Sequence, residues 1–171
     1  MSLRVKDLSR SWKGYRLEGI NLEINPGEYF VLLGPTGAGK TLLLEAIMGI
    51  HRLDSGKIVL NGADITDILT EKRGIGYVPQ QSHLFPHMTV RQNVEFGLKV
   101  RGTPAVAIRG RVDRVLGELG ILSLAERAPV SLSGGETQKV ALARVMAIEP
   151  SLILLDEPLS NLDAKLREEM R

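Results

Sequence analysis

The first third of the chain carries patterns typical of β-strands. Apolar and polar residues partly alternate over 17–24, with the apolar positions at Leu17, Ile20, Leu22 and Ile24. This alternation predicts a half-buried strand. After a turn signal at 25–27, an unbroken apolar run at 29–33 predicts a second strand, of the kind buried on both faces of a parallel sheet. Residues 56–60 predict a third strand, closed by the turn dipeptide at 61–62.

Much of the remaining chain is patterned as helix. Residues 41–48 are apolar enough to form a buried helix. Further on, one face of a longer helix is marked by Ile108, Val112, Val115, Leu116 and Leu119. A shorter helix is predicted over 90–98 with Thr89 as its N-cap, and another over 133–147 with Ser133 as its N-cap.

Another strand is predicted near the end of the chain. Residues 152–155 are apolar and bounded by Pro150 and Pro158, which is typical of a short central strand. Strands that alternate with helices indicate an α/β fold with a mostly parallel sheet. Residues 80–129 contain no strong strand pattern, so we expect them to form a helical insertion on that sheet.

Composition limits the classes of protein to which the chain can belong. Its 171 residues, 43% of them hydrophobic, suit one domain with a sizeable core. The 22 basic and 20 acidic residues nearly balance and form no dense basic stripe, so we expect no nucleic-acid partner. No cysteine is present to form a disulfide or a thiolate metal site. The apolar runs are too short to cross a bilayer, so any membrane function needs another chain that spans it.

The motif with the most specific chemistry follows the apolar run at 29–33. Residues 34–41 match the phosphate-loop pattern G-x-x-x-x-G-K-[ST] in full. Glycines let backbone N–H groups surround a polyphosphate, and the following helix N-terminus adds partial positive charge. We predict that ATP is bound by Gly34, Pro35, Thr36, Gly37, Ala38, Gly39, Lys40 and Thr41. Lys40 is predicted to bridge the β- and γ-phosphates and assist catalysis, and the Thr41 hydroxyl to ligate Mg²⁺.

Two acidic residues follow the strand predicted at 152–155. Asp156 is predicted to hold Mg²⁺, directly or through water, and Glu157 to polarise the water that attacks the γ-phosphate. Two acids are needed because the metal and the water occupy different places. Taken alone, a strand that ends in a solvated, charged turn would explain the pair equally well. The phosphate loop upstream favours the catalytic interpretation.

Between these two motifs, Leu132-Ser-Gly-Gly-Glu136 resembles the LSGGQ signature of ABC ATPases, with Glu in place of the usual Gln. In that family the signature contacts the γ-phosphate held by a second subunit, in a head-to-tail dimer. The resemblance therefore implies a homodimer in which ATP is contacted in trans by Ser133, Gly134, Gly135 and Glu136. The residues themselves predict a helix N-terminus capped by Ser133, with N–H groups exposed to an anion.

Two more segments resemble motifs of this family. Residues 77–80 resemble the Q-loop, which implies that Gln80 senses Mg²⁺, contributes to catalysis and couples to a membrane partner. Gln81 is adjacent, but Gln80 is preferred because it directly follows the apolar strand and a proline. Residues 160–163 resemble the D-loop, which crosses the dimer interface. This resemblance adds Asp163 to the predicted contacts in trans.

An aromatic residue near the N-terminus completes the resemblance. Trp12 lies where ABC ATPases stack an aromatic ring on adenine, so Trp12 is expected to bind ATP through its base. A partly buried anchor is the alternative interpretation of Trp12. Tyr15 is the alternative residue for the base-stacking role.

Motif order and spacing resemble bacterial and archaeal importer subunits. The stretches at 27–41, 60–66, 73–80 and 84–90 most resemble the ATPases of molybdate or tungstate importers. The resemblance implies a P-loop NTPase core with a mostly parallel sheet, an N-terminal antiparallel β subdomain and a helical insertion. One domain over 1–171 is expected, with 1–79 and 130–171 as catalytic core and 80–129 as helical subdomain. The implied protein is an ATPase with ATP and Mg²⁺ as cofactors and integral membrane permeases as partners. It would act peripherally at the cytoplasmic face of the membrane.

One departure from the family concerns the end of the sequence. Family members continue beyond the D-loop with a strand and a switch histidine that contacts the γ-phosphate. His51, His83 and His87 all precede the signature, and none matches that histidine. His87 matches a loop near the membrane-partner contact. We therefore expect a C-terminally truncated domain with weak nucleotide binding and little turnover on its own. The alternatives are a soluble ABC ATPase that is not coupled to transport, and a module that binds ATP without hydrolysing it.

Overall fold

The computed structural model describes residues 2–12 and 14–158. The chain forms two compact units, one covering Met1–Ile75 and the other beginning at Gly76. Among the described residues, the first unit combines an antiparallel sheet with one α-helix, and the second combines a two-stranded sheet with three α-helices. This confirms the predicted α/β class with an antiparallel N-terminal sheet. The finer domain boundaries, at 1–79, 80–129 and 130–171, remain a prediction.

Four antiparallel strands form the sheet of the first unit, in the order β2-β1-β3-β4. Their bounds are Leu3–Trp12 for β1, Tyr15–Ile24 for β2, Ser55–Leu60 for β3 and Ala63–Asp64 for β4. The strands predicted over 17–24 and 56–60 are confirmed. Asn61 and Gly62 both adopt positive φ between β3 and β4, as a tight hairpin turn requires. Buried apolar side chains line the sheet at Leu3, Val5, Leu8, Leu17, Ile58 and Leu60.

Helix α1 spans Lys40–Met48 and packs its apolar residues into the first unit. Leu43, Leu44, Ala46, Ile47 and Met48 are buried, which confirms the predicted helix. The helix ends in a Schellman motif, because the N–H groups of Gly49 and Ile50 bond to the carbonyls of Ala46 and Glu45.

The apolar run at 29–33 is not a buried strand, and this prediction is wrong. Tyr29 is 98% exposed and Leu33 is 90% exposed. The run belongs to neither of the two described sheets. An apolar run is buried as a strand only where neighbouring strands pair its backbone and cover its side chains. No such neighbours are provided by the described residues, in which the sheet of the first unit consists of β1–β4 alone.

The second unit contains strands β5 (Ile75–Val78) and β6 (Leu152–Leu155), which pair as a two-stranded sheet. No strand lies between them among the described residues, in agreement with the predicted helical insertion. The strand predicted over 152–155 is confirmed, but its central position is not, because β5 is its one partner in the described part of the chain. Leu152 and Leu154 are buried on one face of β6, whereas Ile153 and Leu155, on the opposite face, are 38% and 41% exposed.

Three helices form the core of the second unit: α2 (Val90–Val100), α3 (Ala105–Glu118) and α4 (Gly134–Ala147). They pack around a cluster that includes Val90, Val94, Leu98, Ile108, Val112, Val115, Leu116, Val140, Ala143 and Ala147. The predicted helical face of α3 is therefore confirmed. Thr89 and Ser133 cap α2 and α4, as predicted, and each forms a reciprocal capping box. None of the described helices is long and apolar enough to span a lipid bilayer.

Candidate functional site

The phosphate-loop motif forms the entrance to α1. Gly39 adopts a left-handed conformation with φ of 87° and is the N-cap, so the helix begins at Lys40. Within the described residues no side chain caps this end, and the first turn contains no acidic residue. The N–H groups of the first turn and the positive end of the helix dipole therefore face the loop. This arrangement favours binding of an anion.

Lys40 places its ammonium group within the same loop. Its Nζ donates hydrogen bonds to the carbonyl oxygens of Gly34, at 2.8 Å, and Pro35, at 2.9 Å. Because these carbonyls belong to the start of the motif, the side chain crosses the loop from its last residues to its first. A compact positive charge is thus held where phosphate oxygens of a nucleotide can replace the carbonyls. Thr41 follows and is exposed at the start of the helix.

Two aromatic residues lie beside this loop in the first unit. Trp12 and Tyr15 are directly paired across β1 and β2. Directly paired residues of antiparallel strands project from the same face of a sheet. The Tyr15 ring contacts Gly39 so closely that a Cβ there would lie 2.3 Å from the Tyr15 hydroxyl oxygen. The pair therefore provides aromatic surface next to the phosphate loop, and Tyr15 is the member that contacts the loop itself.

The acidic residues are organised within the second unit. Asp156 is 5% exposed and extends the pairing of β6, because its N–H donates to the Val78 carbonyl at 2.9 Å. The hydroxyl of Tyr77 donates to Asp156 Oδ2 at 3.3 Å. Glu157 has a φ of 47°, which turns the chain sharply away from the strand. Its Oε2 accepts a hydrogen bond of 2.6 Å from Gln80 Nε2. Gln80, Asp156 and Glu157 are thus gathered at the ends of β5 and β6.

This cluster has the donor chemistry that Mg²⁺ prefers. Mg²⁺ is bound by hard oxygen ligands, with one or two carboxylates, and keeps several waters. Asp156 supplies a buried carboxylate, and Gln80 supplies an amide oxygen on the adjacent segment. Among the described residues no group of three His, Cys, Asp or Glu side chains forms a self-contained metal site. A metal held mainly by water and substrate phosphates fits this set. The contribution of Thr41, in the first unit, remains a prediction.

The segment 132–136 forms the capped N-terminus of α4. The Ser133 hydroxyl accepts the N–H of Glu136 at 3.3 Å and donates to Glu136 Oε2 at 2.9 Å. The same carboxylate oxygen accepts the N–H of Ser133 at 2.7 Å. These bonds, led by that backbone hydrogen bond, lower the pKa of Glu136 below its usual value. The carboxylate is therefore retained at the helix N-terminus, where negative charge is favourable. Gly134 and Gly135 form the first turn beside it.

Comparison with known protein families gives a match over residues 17–160 to the ABC transporter model. The match covers the phosphate loop, Gln80, the segment 132–136 and the acidic pair. The chain belongs to the ABC transporter family. That Glu136 and its capping box form the signature motif remains a prediction, and the residues at 160–163 that resemble the D-loop, including Asp163, lie outside the described residues.

Three curated relatives of the chain are named as import ATP-binding proteins. The chain is 50% identical to the molybdate/tungstate import ATP-binding protein WtpC of Thermococcus kodakarensis over 98% of its length and 51% of that protein. It is 44% identical to the sulfate/thiosulfate import ATP-binding protein CysA of Synechocystis, over 100% and 48% of the two lengths. The spermidine/putrescine import ATP-binding protein PotA of Pseudomonas aeruginosa is 45% identical, over 99% and 47%. The chain thus spans about half the length of the curated relatives it matches.

Solved structures of ABC proteins confirm the fold. CbiO1 from Clostridium perfringens, part of the ABC transporter complex CbiONQ, superposes with a TM-score of 0.86 at 34% identity. That match covers 98% of this chain and 70% of CbiO1. The bacterial ABC transporter cassette MJ0796, described as a dimer, gives a TM-score of 0.85 at 30% identity, with coverage of 98% and 79%. The resemblance to ABC ATPases that the sequence indicated is therefore confirmed, as is the fold that it implied.

A buried arginine that the sequence analysis missed supports the helix of the phosphate loop. Arg73 is 6% exposed, and burial lowers its pKa. At the C-terminal end of α1 its guanidinium donates to the carbonyls of Ala46, at 3.4 Å, and Ile47, at 2.7 Å. It also donates to Thr66 O and Ile68 O, at 2.7 and 2.8 Å. A cation at this end complements the helix dipole. Its position just before an apolar strand was the only signal in the sequence.

A second such network holds the segment 83–89 of this ABC domain. Asn93, fully buried on α2, accepts the Phe85 N–H at 2.8 Å and donates to the carbonyls of Phe85, Met88 and Thr89. Arg144 on α4 donates to His83 O at 2.9 Å, and its guanidinium carbon lies 4.5 Å from the centre of the Phe85 ring. The segment, which includes the exposed His87, is therefore tied to α4, the helix that begins at Ser133. This gives the segment a defined conformation.

Proposed function

We propose that this chain is the ATP-binding and ATP-hydrolysing part of an ABC importer. The observation that carries this proposal is the phosphate loop, in which the uncapped start of α1 and the Lys40 ammonium converge on one anion site. The triphosphate of ATP matches this site in charge and in its many acceptor oxygens. The family match supports ATP as the nucleotide.

The residues of the second unit supply the chemistry of hydrolysis in this proposal. Glu157 acts as the general base that polarises water for in-line attack on the γ-phosphate. Gln80 orients the Glu157 carboxylate through its 2.6 Å hydrogen bond. Thr41, Gln80 and Asp156 would hold Mg²⁺, which when bound neutralises charge on the phosphate oxygens. Lys40 stabilises the charge that develops on the bridging oxygen as its bond to the γ-phosphorus breaks and ADP leaves.

Replacing Lys40 by alanine tests the nucleotide site. Because charge-assisted hydrogen bonds contribute about 1.5–3 kcal/mol each, we expect the Kd for ATP to rise by about ten- to a hundredfold. Isothermal titration calorimetry of the full chain with ATP measures this change. The matched control is Lys57→Ala, an exposed lysine on β3 of the same unit, which should leave the Kd unchanged. An unaltered affinity in the Lys40 variant would remove the basis of the proposal.

We further propose that two copies assemble head to tail, each contributing Ser133, Gly134, Gly135, Glu136 and Asp163 to the ATP of its partner. The capped N-terminus of α4 supports this role, since it presents N–H groups to an anion. The related cassette MJ0796, described as a dimer, also supports it. The Glu136 carboxylate, held by Ser133, adds a negative charge near the position proposed for the partner's γ-phosphate.

Replacing Glu136 by glutamine therefore tests the proposed dimer. Glutamine can keep a capping interaction with Ser133 but removes the charge. Relief of the charge repulsion predicts dimerisation about tenfold tighter with a non-hydrolysable ATP analogue, as measured by sedimentation velocity. Thermal stability should fall slightly, because the helix dipole loses its favourable anion. Glu118→Gln, at the end of α3, is the control. Dimerisation that is unchanged or weaker in Glu136→Gln would count against the contact in trans.

We propose that this chain acts peripherally at the cytoplasmic face of the membrane, with integral permeases, and serves uptake of an oxyanion such as molybdate or tungstate. Identity to the WtpC and CysA proteins supports an oxyanion, and PotA, similar at 45%, makes a polyamine the competing cargo. The protein, purified with its permease, should hydrolyse ATP faster with a molybdate-loaded binding protein. Stimulation by a spermidine-loaded binding protein alone would assign the polyamine instead.

A further inference from the structure

Trp12, the single tryptophan of the chain, is held on two sides by residues that the proposed function does not use. Its ring meets His51 in a T-shaped arrangement, with centroids 5.3 Å apart and planes at 81°. The guanidinium carbon of Arg10 lies 5.4 Å from the ring centre. Arg10 is itself fixed by Asp54, through a hydrogen bond of 2.9 Å. The orientation of the Trp12 ring is therefore set by its neighbours and not by its own strand alone.

His51 also contacts the helix of the phosphate loop. Its Nε2 lies 3.2 Å from Glu45 Oε2 on α1, and the two side chains are 30% and 26% exposed. Glu45 is further fixed through its backbone, since its carbonyl accepts the Ile50 N–H at the end of α1. His51 thus joins an aromatic ring of the sheet to the helix that begins at Lys40.

The Trp12 ring lies on the side of the sheet that adjoins the phosphate loop. Trp12 is paired with Tyr15, and Tyr15 contacts Gly39, the residue before Lys40. A nucleotide whose phosphates occupy the loop can therefore place its base against this aromatic surface. Stacking depends on the angle of the ring, so a residue that holds the angle also influences affinity for the base.

We propose that His51 is a positioning residue for the nucleotide base: together with Glu45 it holds the Trp12 ring at a fixed orientation relative to α1. The ligand class is a nucleoside triphosphate with an aromatic base. The inference rests on the proposed function of the chain in nucleotide binding. It predicts that substitution of His51 raises the Kd of ligands that carry a base and leaves the Kd of ligands without a base unchanged.

Two substitutions separate the two contacts of His51. His51→Gln keeps a hydrogen-bonding group for Glu45 and loses the ring contact, whereas His51→Phe keeps a ring and loses the bond. Each is expected to raise the Kd for ATP by about three- to tenfold, the range of an aromatic contact expressed as affinity. The Kd for inorganic triphosphate should stay within about twofold, because the phosphate loop is untouched. Glu45→Gln, on the helix side, should behave like His51→Phe: the Kd for ATP rises and the Kd for inorganic triphosphate stays nearly the same.

Calorimetric titration with ATP and with inorganic triphosphate gives both affinities for the full chain. The fluorescence of Trp12 gives an independent signal, since no other tryptophan contributes. ATP should change this fluorescence in the unaltered chain, and His51→Gln, which removes the ring contact, should shift the emission to longer wavelength as the Trp12 ring becomes more exposed. His83→Gln, an exposed histidine of the second unit, is the control and should match the unaltered chain in all measurements.

The outcomes distinguish this inference from the function on which it rests. Equal loss of ATP and triphosphate binding in the His51 and Glu45 variants would overturn the positioning role, because the phosphate loop itself would then be altered. Unchanged ATP affinity in all three variants would also overturn it. Failure of the unaltered chain to bind either ligand would instead overturn the proposed function. Selective loss of ATP binding supports both.

Discussion

Replacing Glu157 by glutamine is expected to lower the rate of ATP hydrolysis by about 10²- to 10⁴-fold, the usual contribution of a positioned general base. The substitution is nearly isosteric, and Gln80 can still bond to the side-chain oxygen that replaces Glu157 Oε2. The site therefore keeps its shape and loses its base. Affinity for ATP should stay the same or increase slightly, since a negative charge is removed from the neighbourhood of the γ-phosphate.

A single-turnover assay with γ-labelled ATP measures this effect in the full chain even where turnover is slow. Glu126→Gln is the matched control, because Glu126 is an exposed acid of the same unit that pairs with Arg91. Its rate should equal that of the unaltered chain. Retention of more than about a tenth of the rate in Glu157→Gln would assign the base to another group. A parallel loss of ATP affinity would indicate a structural role for Glu157.

Replacing Arg73 by methionine is expected to lower the free energy of unfolding by about 3–5 kcal/mol. Methionine keeps part of the apolar volume but donates no hydrogen bond. Four carbonyls then lose the guanidinium as a donor: two at the buried end of α1, where Ala46 O keeps the Gly49 N–H, and two in the half-buried segment 66–68. Each buried acceptor left without a partner costs about 1–3 kcal/mol, reduced where water can reach it. The helix dipole also loses its cation.

Chemical denaturation of the full chain measures this loss. Arg109→Met, an exposed arginine on α3, is the control and should change stability by less than about 0.5 kcal/mol. Gly49→Ala gives an independent check. A Cβ at Gly49 would lie 2.4 Å from the Arg73 guanidinium carbon, and the φ of 81° already disfavours alanine. A loss below about 1 kcal/mol in Arg73→Met would mean that water replaces its bonds.

Several features of this protein could be predicted from sequence because they depend on neighbours along the chain. The face of α3 follows from apolar residues at helical spacing, and burial of Ile108, Val112, Val115 and Leu116 agrees with it. Thr89 and Ser133 were identifiable as N-caps because a cap bonds to N–H groups two or three residues later. The phosphate-loop motif likewise predicted a glycine turn that leads into a helix over 41–48, and the helix begins one residue earlier, at Lys40.

Other features were decided only by the tertiary structure. The run at 29–33 has the composition of a buried strand, yet strands must be paired by other segments, and none of the described segments pairs with it. Arg73 contacts Ile47 at the end of α1, His51 contacts the Trp12 ring, and Tyr15 contacts Gly39 in the phosphate loop. In each case the two partners are distant in sequence. The spacing of apolar residues in the sequence indicates which face of a helix or strand is buried, because that spacing depends on the element's own geometry. Acceptors for a buried cation, or a ring beside a loop, come from the packing of separate elements, and that packing has no local signature.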